Sequence, residues 1–501
     1  MLRKVRTVLA AVVFTLITLL FVDVSGVLHD WLSWLAGIQF WPALLALNAG
    51  VVVALVVLTL IFGRIYCSVI CPLGVMQDVV SHLHSRRKKN RFSYSPEKKA
   101  LRYGFLALFL VAFAAGVGSV VALLAPYSSY GRMAENLLRP LWGLGNNVLA
   151  SVAERADSYA FYSVDVWVKS LPTFIIAAVS FVVIAFLAWR GGRTYCNAVC
   201  PVGTILSFFA RFSWLRVRID TSKCNSCGLC ARNCKASCID SKNHRVDYSR
   251  CVVCGDCIGK CRQQAITFGH GRPRLSADVA GVDAGRVDQA VVDSARRSFL
   301  LGAAMATTAV ALAQEKKKVD GGLAVIEDKV APERATPITP PGSLSAQNMA
   351  RRCTGCQLCV SQCPNGVLRP SVGLMSMMQP TVSYERGYCR PECTRCSDVC
   401  PTGAIQPITV AEKSSIQIGH AVWVRKNYVP LTDGVECGNC ARHCPVGAIT
   451  MVSSAPGNPA SPKIPAVNEA RCIGCGACEN LCPARPFSAI YVEGHEQHRV
   501  I

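Results

Sequence analysis

Cys224-Asn225-Ser226-Cys227-Gly228-Leu229-Cys230-Ala231-Arg232-Asn233-Cys234 is the stretch whose reading decides the fold. Its cysteines follow C-x2-C-x2-C-x3-C. The same spacing recurs at Cys251/Cys254/Cys257/Cys261, Cys353/Cys356/Cys359/Cys363 and Cys472/Cys475/Cys478/Cys482. A fifth run, Cys389/Cys393/Cys396/Cys400, has one extra residue in its first gap. A sixth, Cys437/Cys440/Cys444, is one cysteine short. Twenty-three of the 28 cysteines fall in these runs.

Three chemistries use dense cysteines. Disulfide frameworks belong to small secreted domains. Zinc takes four ligands and does not call for a third cysteine at x2 and a fourth at x3. The run of a bacterial [4Fe-4S] ferredoxin has this spacing, three thiolates binding one cluster and the fourth reaching the neighbouring one. Cys363, Cys400, Cys444 and Cys482 are each followed by proline, as in that run. The runs therefore predict iron–sulfur clusters and one-electron transport. No C-x-x-C-H occurs, so no covalent c-type haem is expected.

The 501 residues allow about three or four domains. Apolar stretches crowd the first 190 residues, and most cysteines lie beyond them. The formal charge of +22 treats every cysteine as neutral. An oxidised cluster with four thiolates carries about −2, so six clusters remove roughly half of that excess. The rest sits largely beside apolar segments, which argues against nucleic acid as a partner.

Four stretches, 5–24, 41–62, 103–125 and 171–189, are apolar over about the 20 residues that a bilayer core requires. None contains Lys or Glu. Basic residues set the orientation. Arg3, Lys4 and Arg6 precede the first stretch. Arg64, Arg86, Arg87, Lys88, Lys89, Arg91, Lys98, Lys99 and Arg102 lie between the second and third, while residues 25–40 have no Lys or Arg. The N-terminus, the 63–102 loop and the chain after Trp189 are expected in the cytoplasm.

A duplication runs through this half. Gly63-Arg64-Ile65-Tyr66-Cys67-x3-Cys71-Pro72-Leu73-Gly74 matches Gly192-Arg193-Thr194-Tyr195-Cys196-x3-Cys200-Pro201-Val202-Gly203. Residues i and i+4 share a helix face, so each pair can aim both thiols at one spot. Two copies related by symmetry would gather Cys67, Cys71, Cys196 and Cys200 into a redox-active or cluster-binding site. The alternative is a tight turn in which cysteine only fills small buried space.

Four spans, two C-x3-C-P motifs and a two-cluster ferredoxin at 224–261 resemble the NapH/MauN-type membrane quinol dehydrogenase subunits and the membrane half of NosR-type proteins. The resemblance covers about residues 1–270 and implies quinol as the electron source. Lys235 and Arg262 stand where the simple run has proline. Reciprocal sharing would give Cys224, Cys227, Cys230 and Cys261 to one cluster, and Cys251, Cys254, Cys257 and Cys234 to the other. Cys238 is spare: a buried small residue, an alternative ligand or a free thiol.

After a polar linker, 271–295, Ala295-Arg296-Arg297-Ser298-Phe299-Leu300-Leu301 opens an apolar run to Ala313. Twin arginine, Phe-Leu and a modest apolar run resemble a twin-arginine export signal, retained as an anchor or cleaved. The route exports folded proteins, which suits clusters assembled in the cytoplasm. A linker, 314–345, would then lead to four exported runs within 346–501. This part resembles the NapG/MauM-type periplasmic ferredoxins. That resemblance implies pairing of the first run with the fourth and the second with the third: Cys353, Cys356, Cys359 and Cys482; Cys472, Cys475, Cys478 and Cys363; Cys389, Cys393, Cys396 and Cys444. Cys437, Cys440 and Cys400 remain. By register the missing ligand falls at Gly434, so this centre is a [3Fe-4S] cluster, a [4Fe-4S] cluster with Asp433 as an oxygen ligand, or lost.

The expected fold is a membrane α-helical domain, 1–215, of two duplicated hairpins with four spans, and a fifth at 296–313. It carries two bacterial-ferredoxin-like α+β domains, 216–270 in the cytoplasm and 346–501 in the periplasm. The expected function is a quinol dehydrogenase of the bacterial cytoplasmic membrane. It passes electrons from menaquinol or ubiquinol to a periplasmic cytochrome or reductase, with other membrane subunits as partners. The rival readings are a redox accessory, maturation or regulatory role for a periplasmic metalloenzyme, and reverse flow into the quinone pool. Candidate titratable groups for quinol are Asp23, His29 and Asp30 on the outer side and Asp78, His82 and His84 on the inner side. The sequence places no centre midway across the roughly 30 Å of hydrocarbon.

Overall fold

The computed structural model describes residues 2–23, 26–87, 92–158, 160–270, 328–458 and 460–501. The 271–295 linker, the 296–313 twin-arginine segment and residues 314–327 lie outside the described residues.

Two of the four apolar stretches are unbroken helices, Leu2–Val22 and Leu171–Gly191, each of 21 residues. At 1.5 Å per residue each is about 31 Å long. The other two stretches are broken. Within 41–62, helix Phe40–Leu45 ends, Leu47 takes a positive φ of 56°, and Asn48 starts helix Ala49–Phe62 by accepting Val51 N–H on Oδ1 at 3.2 Å. A polar N-cap inside an apolar window interrupts the helix because it offers the backbone a local alternative. Within 103–125, helix Lys99–Ala114 stops before Gly116, whose φ of 73° favours glycine, and helix Gly118–Leu124 follows. Among the described residues, two helices are thus long and apolar enough to cross a bilayer by themselves. Val8, Val53, Val111 and Val179 lie on the outside of the bundle and are more than half exposed.

The duplicated halves interlock. Helix Pro72–Arg87 follows the first C-x3-C-P motif and packs on Leu171–Gly191 of the second half. Helix Pro201–Ala210 follows the second motif and packs on Ala49–Phe62 of the first. Helix Pro126–Met133 is buried along its whole length and packs against both Pro72–Arg87 and Leu171–Gly191.

Each ferredoxin part is built from antiparallel two-stranded ribbons and single-turn helices. In 216–270, strand Leu215–Ile219 pairs with Ile266–His270, and Ile239–Asp240 pairs with Arg245–Val246. In the C-terminal part, Leu368–Pro370 pairs with Pro380–Val382, Ile416–Trp423 with Ile490–Val500, and Ile449–Ser453 with Lys463–Val467. The domain begins earlier than the sequence suggests. Residues 328–345 are expected as linker, but Ile338 is fully buried, and Lys329 Nζ donates to the carbonyls of Glu479 (2.6 Å), Asn480 (2.6 Å) and Cys482 (3.0 Å). The extended, proline-rich chain binds the domain because its lysine satisfies carbonyls left open at a helix end.

Candidate electron-transfer site

The structure brings the two C-x3-C-P motifs together, and all four thiols are buried. Cys71 and Cys200 each lie in the electrostatic field of Cys67 and Cys196. The two arginines of the repeat cross over. Arg64 Nη2 donates to Cys196 O at 2.9 Å, and Arg193 Nη1 donates to Cys67 O at 2.6 Å. Each also lies 3.7 Å from the sulfur of its own motif's first cysteine. Gln77 Nε2 approaches Cys196 Sγ at 3.3 Å, and Gly203 N–H approaches Cys200 Sγ at the same distance.

This crossing explains the rest of the repeated motif. A Cβ at Gly74 would stand 2.6 Å from Arg193 Nη1, and one at Gly203 would stand 2.7 Å from Arg64 Nη2. The final glycine of each motif leaves room for the other motif's arginine. Pro72 and Pro201 open the following helices, where a missing N–H costs nothing. Tyr66 donates to Gln39 Oε1 at 3.1 Å, and Tyr195 donates to Leu124 O at 3.1 Å.

The 216–270 domain docks on one side of this site. Arg193 N–H donates to Lys235 O at 2.8 Å, Asn197 to Ala236 O at 3.2 Å, and Arg64 Nη1 to Ser249 O at 3.1 Å. Asp78 gathers Arg6 (2.9 Å), Arg193 (2.8 Å) and Lys235 (3.2 Å). Lys235 also reaches Asp256 at 3.0 Å, and Arg3 reaches Asp256 at the same distance. Lys235 follows Cys234, and Asp256 lies between Cys254 and Cys257. The residue that replaces the usual proline therefore ties the cluster loop to the helices. Cys257 lies in the field of Cys254, Cys251, Cys234 and Cys230. Cys238 is buried with its sulfur 3.5 Å from that of Cys234 and is also linked to Cys251.

The C-terminal domain docks on the other side, through helix Leu358–Gln362 of its first run. Asn136 Nδ2 donates to Gln357 Oε1 at 2.8 Å, Lys169 Nζ to Val360 O at 2.6 Å, Gln362 Nε2 to Leu20 O at 3.0 Å, and Arg139 to Ser361 O. A Cβ at Gly131 would stand 2.4 Å from Cys356 O. Fully buried Arg132 interacts with both Tyr195 and Cys356, and Tyr195 in turn with Cys196 and Cys200. The four thiols thus lie between the two ferredoxin domains, a position the sequence did not supply.

The C-terminal runs lie against one another differently from the expected pairing. Cys353, Cys356 and Cys359 lie in the field of Cys400, not Cys482. Cys389 and Cys396 face Cys363, Cys475 faces Cys444, and Cys440 faces Cys482. Helix Leu358–Gln362 packs on Arg395–Asp398, and Asn439–Arg442 packs on Ala477–Asn480. The first run therefore lies beside the second, and the third beside the fourth. The pairs close shorter stretches of chain, which costs less entropy. Cys389 N–H to Cys475 O, at 2.9 Å, joins the two halves.

Cys437, Cys440 and Cys482 line one cavity with Trp423 and Tyr428. The short run thus faces Cys482 and not Cys400. Asp433 and Gly434 lie in the exposed loop before it. Among the described residues, no three acidic, histidine or cysteine side chains are drawn in to hold a single metal ion. The cysteine-rich donor sets fit thiolate-bound iron–sulfur clusters.

The titratable candidates divide. Burial pushes the Asp78 carboxyl up, but Arg193, Lys235 and Arg6 outweigh it and hold the group well below the usual carboxylate range. Asp78 is therefore a structural anion, not a proton acceptor. Asp23 accepts the N–H groups of Gly26 (3.0 Å) and Leu28 (3.1 Å). His84 meets the edge of Trp189, with ring centroids 4.4 Å apart. His29 is buried with neither ring nitrogen hydrogen-bonded, and burial pushes its pKa down despite Asp30, Asp23 and Asp398.

Comparison with known proteins follows this geometry. A family described as "4Fe-4S binding domain" matches residues 44–91 and 171–221, which contain the two C-x3-C-P repeats. A "4Fe-4S dicluster domain" matches residues 350–412 and 435–485, each holding one pair of runs. The "Methylamine utilization ferredoxin-type protein MauM" of Methylophilus methylotrophus is 32% identical over 174 residues, 32% of this chain and 72% of that protein. The "Ferredoxin-type protein NapF" of Escherichia coli K12 is 29% identical over 159 residues, 32% of this chain and 87% of NapF. The "Putative electron transport protein YccM" of the same strain is 23% identical over 198 residues, 38% of this chain and 47% of YccM. No solved structure matches. Fold and site define an iron–sulfur electron-transfer protein of the ferredoxin type. The chain belongs to the MauM ferredoxin-type family.

Proposed function

We propose that the chain is a membrane-bound quinol dehydrogenase that takes electrons from menaquinol or ubiquinol and delivers them singly to an exported cytochrome or reductase. One observation carries this reading. The two ferredoxin domains hold opposite ends of helix Leu2–Val22: Arg3 pairs with Asp256 at its start, and Leu20 O accepts Gln362 near its end. Those contacts are 17 residues apart, about 26 Å along a helix, close to the thickness of a bilayer core. The excess of basic residues at the Arg3 end supports a cytoplasmic position for that end. The twin-arginine segment supports export of the other domain.

When bound, the clusters accept and donate one electron at a time, which lets a two-electron quinol supply a one-electron acceptor. The protein's part is to hold the domains in register through Asp78, Lys235, Asn136 and Gln362. It also excludes water between them with helix Pro126–Met133. The test is turnover of the purified full chain with a quinol analogue and a soluble acceptor. Quinol-dependent reduction of the acceptor is expected. Oxidation no faster than background removes the dehydrogenase reading and leaves the accessory redox role.

A further inference from the structure

The fifth cysteine run departs from the others by one extra residue, Cys389-Arg390-Pro391-Glu392-Cys393. In the four regular runs the residue before the second cysteine has a positive φ: Ser226 at 55°, Val253 at 51°, Gly355 at 60° and Gly474 at 72°. Glu392 does not. The longer gap instead closes as a turn, with Cys393 N–H donating to Arg390 O at 3.2 Å. That turn presents two carbonyls to one side chain. Lys413 Nζ donates to Arg390 O at 2.5 Å and to Cys393 O. Lys413 is buried, and its charge acts on Cys389 and Cys396.

Lys413 comes from helix Val410–Ser415. Its neighbour Glu412 is turned away, closing a capping box with its carboxylate on Thr409 N–H at 2.7 Å. Among the described residues no carboxylate lies within ion-pair distance of Lys413. Carbonyls satisfy its protons but do not cancel its charge. Arg390, Glu392, Arg395 and Asp398 of the same loop are exposed, where water and salt screen them. Lys413 has no such screen. Reduction takes a four-thiolate cluster from about −2 to about −3, so a fixed cation at its edge favours the reduced form.

We infer that the extra residue of the fifth run makes a receptor for Lys413, whose buried charge raises the reduction potential of the centre held by Cys389, Cys393 and Cys396. This centre stands where the halves of the C-terminal domain join, through Cys389 N–H and Cys475 O. An electron arriving from the first run is thereby held at the junction. The step moves one electron onto the centre, with no bond made or broken. It holds for any donor and does not rest on quinol oxidation.

The test is potentiometric titration, followed by electron paramagnetic resonance, of the full chain purified without oxygen. The centre is identified as the one whose signal Cys396→Ser disturbs. Lys413→Gln keeps amide donors for the two carbonyls and removes the charge. It should retain wild-type iron and sulfide while the reduced-to-oxidised ratio of this centre, at a fixed potential, falls at least about tenfold, a shift of about 59 mV for one electron. The other centres should not move. Lys413→Arg keeps the charge, guards against a folding failure and should match the wild-type potential. Unshifted potentials in Lys413→Gln overturn the proposal, as does an equal fall in Lys413→Arg. Loss of this centre's iron in both variants also overturns it, because ligation and not potential then depends on Lys413.

Discussion

Arg64 and Arg193 exchange repeats: each leaves its own C-x3-C-P motif and donates to the first cysteine carbonyl of the other, at 2.9 and 2.6 Å. Two stretches 129 positions apart (193 − 64) therefore close on each other as one site. The two repeat-bearing halves of the helical domain cannot separate without breaking both bonds.

Removing Arg193 tests this lock. Arg193→Leu leaves Asp78 with Arg6 and Lys235 but takes away its 2.8 Å partner and the bond to Cys67 O. Breaking a buried pair on one side costs about 3–5 kcal/mol. Thermal unfolding in detergent should show a midpoint lower by several degrees, with Arg193→Lys in between. An unchanged midpoint contradicts the lock.

Gly131 tests domain docking. Any side chain there meets Cys356 O, and the β-branched Gly131→Val should wedge helix Pro126–Met133 away from the first exported run. Iron content should stay at wild type, while rapid-freeze reduction of the exported clusters by quinol slows at least tenfold. Equal rates place the electron path elsewhere.

Ligand pairing is open to spectroscopy. Cys400→Ser should disturb the centre of Cys353, Cys356 and Cys359, and Cys482→Ser the centre of Cys437 and Cys440. Under the nested pairing the two variants exchange their effects. Potentiometric titration followed by electron paramagnetic resonance separates the outcomes.

Sidedness predicts a cleavage pattern. Trypsin added to intact spheroplasts should cut at Lys316, Lys317 or Lys318 and release a C-terminal fragment that keeps its clusters. Full protection of the chain refutes an exported C-terminal domain.

The C-terminal domain should also weaken in acid. Burial and then His495 hold the His498 pKa down to about 4, against an ordinary 6.5. Between those values the unfolded chain binds the proton and the fold does not. Stability from this group is therefore whole above about pH 6.5, declines as pH falls, and is fully lost below about 4. His498→Gln should flatten that part of the unfolding-against-pH curve; an unaltered slope assigns the acid response to another group.

Much of the site was legible in the chain because cluster ligation is local. Cys224, Cys227 and Cys230 lie within one short stretch, so their spacing is the geometry of their site. The repeat at 63–74 and 192–203 was equally plain. The breaks at Asn48 and Gly116 were missed because hydropathy averages over a window, whereas one cap or one left-handed residue ends a helix. A sharper signal was present: a lone Asn and a glycine inside otherwise apolar runs. Arg64 and Arg193 were quoted as part of the pattern without a role, since a buried arginine declares itself only by what it faces.

The chain by itself determined the chemistry, since thiolates at these intervals suit iron–sulfur clusters and long apolar stretches need a nonpolar environment. Only the tertiary structure decided which runs share, where the domains dock, and that the four remaining paired-motif cysteines lie between them. Several docking contacts, such as Arg64 with Ser249 and Asn136 with Gln357, join residues more than a hundred positions apart. They depend on helix packing and on charges that must find partners once buried, and neither is written in any local spacing.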